Sequence, residues 1–286
     1  MSTRNYKART KSTRHMSVVR YREYLTTDKP LKSLVKGAKR HAGRNAFGRI
    51  TTRHQGGGHK QNLRLVDFLF EKKDIPGRVE HIEYDPKRSG FIARIVYQDG
   101  ERRYILAPKA LKVGDTVITS LTAPLTPGNR LPMKRIPVGT QLYNIEIHKG
   151  GGAKMCRSAG NFAELVAIDG GYAQLKLPSS EVRQVVDTAW ASIGEVSNPS
   201  HHLVILGKAG RSRRMGIRPT VRGSAMNPVD HPHGGGEGRS GRGHRRQRSL
   251  WGKPTGKGQK SRTPKKYSNT FIVSRRKVGK KRKATQ

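Results

Sequence analysis

Residues 77–108 spell GRVEHIEYDPKRSGFIARIVYQDGERRYILAP, and this stretch decides the predicted fold. Three runs rich in Val, Ile, Tyr and Phe are separated there by Asp85-Pro86 and by Asp99-Gly100. An Asp-Gly pair between two such runs indicates a β-hairpin, because a type I′ turn needs positive φ at both central residues. The stretch therefore predicts short antiparallel strands joined by tight turns.

The same pattern of β-rich runs separated by turn residues continues on both sides of a Pro/Gly-rich connector at residues 124–139. Further β-rich runs are VGDTVITS (113–120), QLYNIEIH (141–148), FAELVAID (162–169), YAQLKLP (172–178) and EVRQVVDT (181–188). Closing such short strands into barrels removes their exposed edges. We predict two small antiparallel β-barrels, and we expect a short turn of helix within residues 30–42. The predicted domains are a basic N-terminal arm (1–60), an OB-like barrel (61–128), an SH3-like barrel (129–200) and a basic Gly-rich C-terminal arm (201–286).

Charge is concentrated in the two arms. The chain holds 59 Lys and Arg against 19 Asp and Glu, a net charge of +40. Split along the chain, that charge is +15 in residues 1–65, +3 in 66–206 and +22 in 207–286. Arms of this kind repel themselves, so we expect them to be extended until a polyanion binds. Nucleic acid is the natural polyanion, because each phosphate that a basic side chain neutralises releases a counterion.

Several other classes of protein are excluded by composition. Cys156 is the only cysteine, so neither a disulfide framework nor a cysteine zinc site is possible within this chain. No run of about 18 apolar residues exists, which excludes a transmembrane helix. The arms also lack the periodic apolar residues that an interfacial membrane helix requires. We interpret the basic start of the chain as part of a binding arm.

Two glycine-rich stretches carry the candidate binding residues, RITTRHQGGGHK at 49–60 and NPVDHPHGGGEGR at 227–239. A backbone without Cβ atoms can approach a phosphate or a base closely, and its N–H groups can form an anion-binding nest. The predicted RNA-binding residues of these stretches are Arg49, Arg53, His54, Gly56, Gly57, Gly58, His59, Lys60, Asn227, His231, His233, Gly234, Gly235, Gly236 and Arg239.

Two chemical alternatives fit the same histidines. A zinc site could combine His54 and His59 with His231 and His233, but no cysteine or periodic element supports that spacing. A hydrolase or transferase could use His231 or His233 as a general base oriented by Asp230, but no partner nucleophile is indicated. We therefore predict no catalytic residue, no metal ligand, and no cofactor other than RNA-associated Mg²⁺.

With these motifs in order, the chain closely resembles the family of large ribosomal subunit protein two, in its bacterial type. The resemblance covers essentially the whole chain. The stretches that carry it are GRITTRHQGGGHK (48–60), EYDPKRS (83–89), DGERRYILAP (99–108), RPTVRG (218–223) and MNPVDHPHGGGEGR (226–239). It implies an OB-like barrel followed by an SH3-like barrel, with long irregular arms that enter 23S-type rRNA.

The resemblance also implies a role. The family is a structural constituent of the large subunit that supports assembly, subunit association and the RNA around the peptidyl transferase centre. Its implied partners are large-subunit rRNA, neighbouring ribosomal proteins and the small subunit, in a bacterial cytoplasmic ribosome or an organellar one. His231 matches a family histidine linked to that centre, and Arg218, Arg222 and Trp251 join the predicted RNA-binding residues.

One segment departs from the family pattern. Relatives have T-P-W-G after the glycine loop, whereas this chain has GRGHRRQR followed by Ser249-Leu250-Trp251-Gly252. The path of residues 240–252 is therefore open at the level of sequence. The alternative function is a free-standing nucleic-acid compacting or RNA chaperone protein, which would tolerate scrambled basic repeats instead of fixed Gly, Pro and His positions.

Overall fold

The structure is a computed structural model that describes residues 3–256 and 262–276. It is mainly β, with 29% of the described residues in strands or isolated β-bridges and 10% helical. The strands are β1 Thr3–Asn5, β2 Ser17–Val19, β3 Val35–Gly37, β4 Asn62–Arg64, β5 Gly77–Glu83, β6 Ile92–Tyr97, β7 Arg102–Leu106, β8 Thr116–Val117, β9 Arg130–Pro132, β10 Gln141–Tyr143, β11 Ile145–Glu146, β12 Ala153–Met155, β13 Ala163–Asp169, β14 Tyr172–Lys176, β15 Val182–Val186, β16 Trp190–Ile193 and β17 Ile272–Ser274.

Helical structure is short throughout the described residues. One α-helix, α1, spans Ala209–Arg214. The 3-10 helices are Tyr21–Glu23, Lys32–Leu34, Met133–Arg135, Pro199–Leu203, Gly223–Ala225 and Tyr267–Asn269. The segment Lys32–Leu34 confirms the short helical turn predicted within residues 30–42. No helix in the described part of the chain is long and apolar enough to cross a membrane.

The first sheet is four-stranded, in the order β7-β6-β5-β8, and every pairing is antiparallel. In β5, buried Gly77 and Val79 flank exposed Arg78, whereas β6 and β7 bury consecutive residues, Ile92-Ala93 and Tyr104–Leu106. The predicted hairpin between β6 and β7 is present, but only Gly100 of the Asp99-Gly100 pair has positive φ, at 80°. The hairpin prediction is thus confirmed, whereas the turn is not of type I′.

The second sheet has seven strands in the order β17-β15-β14-β13-β10-β16-β9. The β13–β14 hairpin turns through Gly170 and Gly171, whose φ values of 54° and 79° are both positive. The run QLYNIEIH forms two strands instead of one, because Asn144 adopts φ of 49° between β10 and β11. The prediction of a mainly β protein, an OB-like barrel followed by an SH3-like barrel with irregular arms, is confirmed.

Each sheet encloses its own hydrophobic cluster. The first contains Phe91, Ile95 and Ile105, and the second contains Leu142, Leu165 and Leu175, all of them buried. Beside the second cluster lies a buried ion pair, in which Arg130 Nη2 donates to Glu146 Oε1 at 2.8 Å. The guanidinium of Arg130 also lies over the ring of Phe70, 4.3 Å from its centroid.

The described residues divide into two compact units. Unit 1 comprises the described residues within 1–39, 60–211 and 270–286, and unit 2 comprises the described residues within 40–59 and 212–269. Both sheets belong to unit 1, so the two predicted barrels are not separated by this division. Unit 2 combines segments of both arms, and turns closed by backbone hydrogen bonds replace the extended path expected from charge alone. The predicted domain boundaries at residues 60, 128 and 200 stay predictions.

Candidate nucleic-acid interface

Unit 2 has the most one-sided charge of the molecule. Its residues, 40–59 and 212–269, contain 19 Lys and Arg but only 2 acidic residues, Asp230 and Glu237. The ion pairs found among the described residues all lie in unit 1. The described cationic side chains of unit 2 therefore have no acidic partner among these ion pairs, which favours an external polyanion.

The first glycine stretch is fixed by a segment of the C-terminal arm. Gly56 N–H donates to the carbonyl of Gly216 at 2.8 Å, and Arg218 N–H donates to the carbonyl of His54 at 3.0 Å. Gly58 lies so close that a Cβ atom there would be 2.7 Å from the Gly216 nitrogen. Two stretches about 160 residues apart in sequence thus form one backbone arrangement, which the spacing of the motifs did not predict.

The second glycine stretch closes on itself. Asp230 N–H donates to the carbonyl of Asn227 at 3.0 Å, and Gly235 N–H donates to the carbonyl of Met226 at 3.1 Å. A Cβ atom on Gly234 would overlap the carbonyl of Asn227. Gly235 has φ of 82°, a conformation that side chains other than glycine rarely adopt. The loop geometry itself requires both glycines.

These contacts refine the role predicted for the glycines. Gly58 and Gly234 are needed first for backbone packing inside unit 2, before any approach to a phosphate. Gly236, with φ of 90°, is constrained by its conformation and by the side chain of Ser240. Space is open around Gly57 and Gly241, where an added Cβ would meet nothing within 4 Å. An external backbone contact is therefore best sought at the open glycines.

Hydrogen bonds fix the tautomers of two histidines in the second stretch. His233 N–H donates to His231 Nδ1 at 3.0 Å, and Arg248 N–H donates to His233 Nε2 at 3.0 Å. A ring nitrogen that accepts cannot carry a proton. Neutral His231 therefore holds its proton on Nε2, and neutral His233 holds its proton on Nδ1. The His231 ring packs on Gly223, where a Cβ atom would overlap it.

A third imidazole, His244, completes a row of rings. The ring centroids are 4.8 Å apart for His231 and His233 and 6.0 Å apart for His233 and His244. Desolvation of the half-buried ring, together with positive charge on its neighbours His231 and Arg242, holds the pKa of His233 below its ordinary value. Within residues 3–256 and 262–276, no three His, Cys, Asp or Glu side chains gather as metal ligands would.

The segment that departs from the family pattern forms a small hairpin in the structure. Thr255 N–H donates to the carbonyl of Gln247 at 2.8 Å, and Ser249 N–H donates to the carbonyl of Lys253 at 2.8 Å. Trp251 lies in the turn of this hairpin with 74% of its surface exposed. The guanidinium of Arg53 lies 5.8 Å from the centroid of the Trp251 ring. The structure thus brings together two predicted residues from opposite arms.

The remaining predicted residues are distributed over the surface. The exposed ones in unit 2 are Arg49, His59, Arg218, Arg222, Asn227 and Arg239, and Lys60 is exposed in unit 1. Sequence reasoning missed the residues that hold the site, namely Arg40, which donates to the carbonyl of His59, and Gly216, Gly223, His244 and Arg248. Gly223 lies in the stretch RPTVRG, which resembles the family, and this was the available signal. No spacing rule indicated His244 or Arg248.

Unit 1 contributes a second basic feature that the sequence did not reveal. The guanidinium groups of Arg88 and Arg157 lie 5.2 Å and 4.6 Å from the centroid of the Phe68 ring. Arg88 Nε also donates to the buried carboxylate of Asp85 at 2.6 Å. Packing on one aromatic ring limits the side-chain freedom of both arginines, and the charge of Arg88 is balanced by Asp85.

Two β-sheets of barrel type in a chain whose second unit is overwhelmingly cationic define a protein that binds a polyanion through irregular loops. Residues 126–252 match the family model described as Ribosomal Proteins L2, C-terminal domain. Residues 31–119 match the model described as Ribosomal Proteins L2, RNA binding N-terminal domain. The chain belongs to the ribosomal protein L2 family. It is accordingly a structural, RNA-binding protein of the large ribosomal subunit, with rRNA and ribosomal proteins as partners, on a cytoplasmic or organellar ribosome.

Proposed function

We propose that unit 2 is the principal rRNA-contacting surface and that it supports the RNA around the peptidyl transferase centre in a ribosome of bacterial type. Under this proposal the protein binds 23S-type rRNA, promotes subunit assembly, and contributes to association with the small subunit. The observation that carries the proposal is the pairing of 19 basic residues with 2 acidic ones in a unit whose loops are fixed by their own backbone hydrogen bonds. Such loops are displayed and not buried.

Each class of side chain has a role in this proposal. Arg49, Arg53, Arg218, Arg222 and Arg239 contact phosphates, together with Lys60 and the N–H groups near Gly57. Trp251 stacks on an unpaired base, which aromatic side chains in RNA-binding proteins commonly do. His231 donates its Nε2–H to an RNA acceptor. The only metal ions we expect are Mg²⁺ ions that accompany the RNA.

The hydrogen bonds at His231 favour this binding role over catalysis. A general base must accept a proton through a free nitrogen lone pair, and in triads the other nitrogen donates to an orienting carboxylate. In this protein Nδ1 accepts from His233 N–H, so the proton lies on Nε2. Neutral His231 is therefore set up as a donor, and its orienting partner is a backbone amide instead of the carboxylate of Asp230. We infer that the protein is not an enzyme.

Reconstituted large subunits test the proposal directly. Subunits would carry the wild-type protein, His231→Ala, Arg49→Ala/Arg53→Ala, or the control Lys112→Ala, which changes an exposed basic residue of unit 1. We expect the double variant to lower protein occupancy and footprints on the rRNA, and Lys112→Ala to leave both unchanged. His231→Ala subunits that assemble fully but fail at the bond-forming step would overturn the structural role.

A separate comparison addresses the compaction alternative. Binding to rRNA should weaken steeply with salt, because many Lys and Arg contacts each release counterions. Large-subunit rRNA should also be preferred over duplex DNA of equal length, since unpaired loops and 2′-hydroxyls offer contacts that B-form DNA lacks. Equal affinity for both nucleic acids at about 0.2 M salt would favour a compacting or chaperone protein.

A further inference from the structure

The path of the basic segment after the glycine loop depends on one imidazole. Arg248 N–H donates to His233 Nε2 at 3.0 Å, and this bond spans 15 residues of sequence. Arg248 lies at the base of the 247–255 hairpin, whose turn carries Trp251, and its bridge partner across the hairpin is Pro254. The backbone N–H of His233 in turn donates to His231 Nδ1. Trp251 is thus anchored to the glycine loop through His233.

We propose that His233 is a positioning residue that sets the path of residues 242–255 by accepting the Arg248 amide hydrogen through its neutral ring. The acceptor can exist only while Nε2 is unprotonated, because an imidazolium ion donates from both nitrogens. Protonation therefore removes the bond, leaves the Arg248 N–H without its acceptor, and frees the hairpin from the loop. His233 acts as a latch that is closed when neutral and open when charged.

The surroundings of the ring oppose its protonation. The titratable and charged groups that face His233 are His231 on its own loop and Arg242, His244 and Arg248 on the following segment. Each of the four disfavours a positive charge on the ring and so lowers the pKa of His233, in addition to the larger effect of desolvation. His244 Nε2 also lies 3.1 Å from the carbonyl of Pro232, a second link between the same two segments. The latch is accordingly closed at neutral pH.

The sign of the pH dependence follows from the lowered pKa of His233. When folding lowers the pKa of a histidine below its ordinary 6.5, the unfolded state binds more protons, so acid favours opening. The stabilisation from the latch is present above pH 6.5 and is lost as pH falls through the lowered pKa of His233. The latch is measured as a difference between variants, so that effects of pH shared by all of them cancel.

Two substitutions distinguish the loss of the hydrogen-bond acceptor at residue 233 from the protonation of its imidazole ring. His233→Gln places an amide oxygen near the position of Nε2, which accepts the Arg248 hydrogen at every pH. His233→Ala removes the acceptor altogether. His41→Ala is the matched control, since it deletes an exposed histidine of unit 2 outside the row of rings.

The first readout is independent of RNA: the protection of the Arg248 amide against hydrogen exchange in the full-length protein at about pH 7.5 and about pH 5.5. One hydrogen bond corresponds to roughly three- to tenfold in protection. We expect the protection of the Arg248 amide to fall by this factor in His233→Ala at both pH values, and in the wild type only at the lower pH. His233→Gln should stay protected throughout, and His41→Ala should follow the wild type. Equal Arg248 protection in all four proteins at both pH values would refute the latch.

The second readout, affinity for a large-subunit rRNA fragment, rests on the proposed function of unit 2. We expect the ratio of His233→Gln affinity to wild-type affinity to rise by roughly three- to tenfold on acidification, since only the wild type loses the bond. If Arg248 protection behaves as expected but this ratio stays constant, the latch stands and the RNA-contacting role of the hairpin fails. The two hypotheses are thus tested separately.

Discussion

Units 1 and 2 belong to one chain, but different interactions stabilise the interior of each. Every described residue of the hydrophobic core lies in unit 1, from Val19 to Val196. Large apolar side chains of unit 2 are instead exposed, among them Phe47 at 89% and Val229 at 91%. Unit 2 is shaped by backbone hydrogen bonds and glycine turns, which constrain local geometry but bury little apolar surface.

The difference has a consequence for how the protein meets RNA. A unit with a core is stable by itself, whereas a unit without one is stabilised mainly by what binds to it. We therefore expect unit 1 to fold without RNA and unit 2 to gain most of its protection from hydrogen exchange on binding.

The largest effect is expected at the buried ion pair of unit 1. Glu146→Ala leaves Arg130 charged and buried without its carboxylate, and such a change costs about 3–5 kcal/mol in free energy of unfolding. Chemical denaturation of the RNA-free protein measures it. Glu164→Ala is the matched control, because it breaks an exposed ion pair with Lys176 whose N–O distance, 3.0 Å, is similar. Loss of such an exposed pair costs at most about 1 kcal/mol in free energy of unfolding. Equal losses for the two variants would show that burial does not distinguish them.

A smaller effect is expected at the glycine loop of unit 2. Gly234→Val forces a side chain into the carbonyl of Asn227, and overpacking of this kind costs about 1–3 kcal/mol. Since unit 2 adds little to the stability of the RNA-free protein, the loss should be seen in affinity for rRNA instead of in the unfolding of unit 1.

Gly241→Val is the control for that experiment, because an added Cβ there meets nothing within 4 Å of the protein and its φ is not positive. It leaves the loop intact and probes the space outside it. Normal affinity in Gly241→Val would show that RNA does not approach this backbone closely. An undiminished affinity in Gly234→Val would mean that the observed loop geometry is not the one that binds.

The contrast also explains what could be predicted from the sequence. The strands of unit 1 were predictable because a buried sheet face imposes a period of two on runs such as YAQLKLP. The splitting of QLYNIEIH at Asn144 was not, since a left-handed residue inside a strand-like run has no hydrophobic signature. The turn at Asp99-Gly100 shows a similar limit, because the residue pair indicates a hairpin but not the turn type.

Unit 2 has no periodic pattern, because no buried face imposes one. Its glycine stretches were identified from composition and resemblance, but their joining through Gly58 and Gly216 depends on backbone contacts distant in sequence. The hydrogen bond from Arg248 N–H to His233 lies in the segment that departs from the family, so resemblance could not reveal it either. The sequence therefore indicated candidate RNA-binding residues but not the residues that position them.

The smallest effect is expected at the contact between the two arms within unit 2, where Arg53 lies 5.8 Å from the ring centroid of Trp251. An exposed cation–π pair contributes about 0.5–1 kcal/mol. A double-mutant cycle with Arg53→Gln, Trp251→Leu and both together isolates this coupling from the separate contacts that each residue makes.

The affinity of each variant for rRNA is measured at two salt concentrations. Arg53→Gln should lower the salt dependence of this affinity by about one phosphate contact, whereas Trp251→Leu should not. A coupling energy near zero, with each single variant still losing affinity for rRNA, would mean that RNA separates the two side chains. The pair would then exist only in the free protein. A coupling that persists in the complex would mean that the arms reach RNA as one preassembled surface.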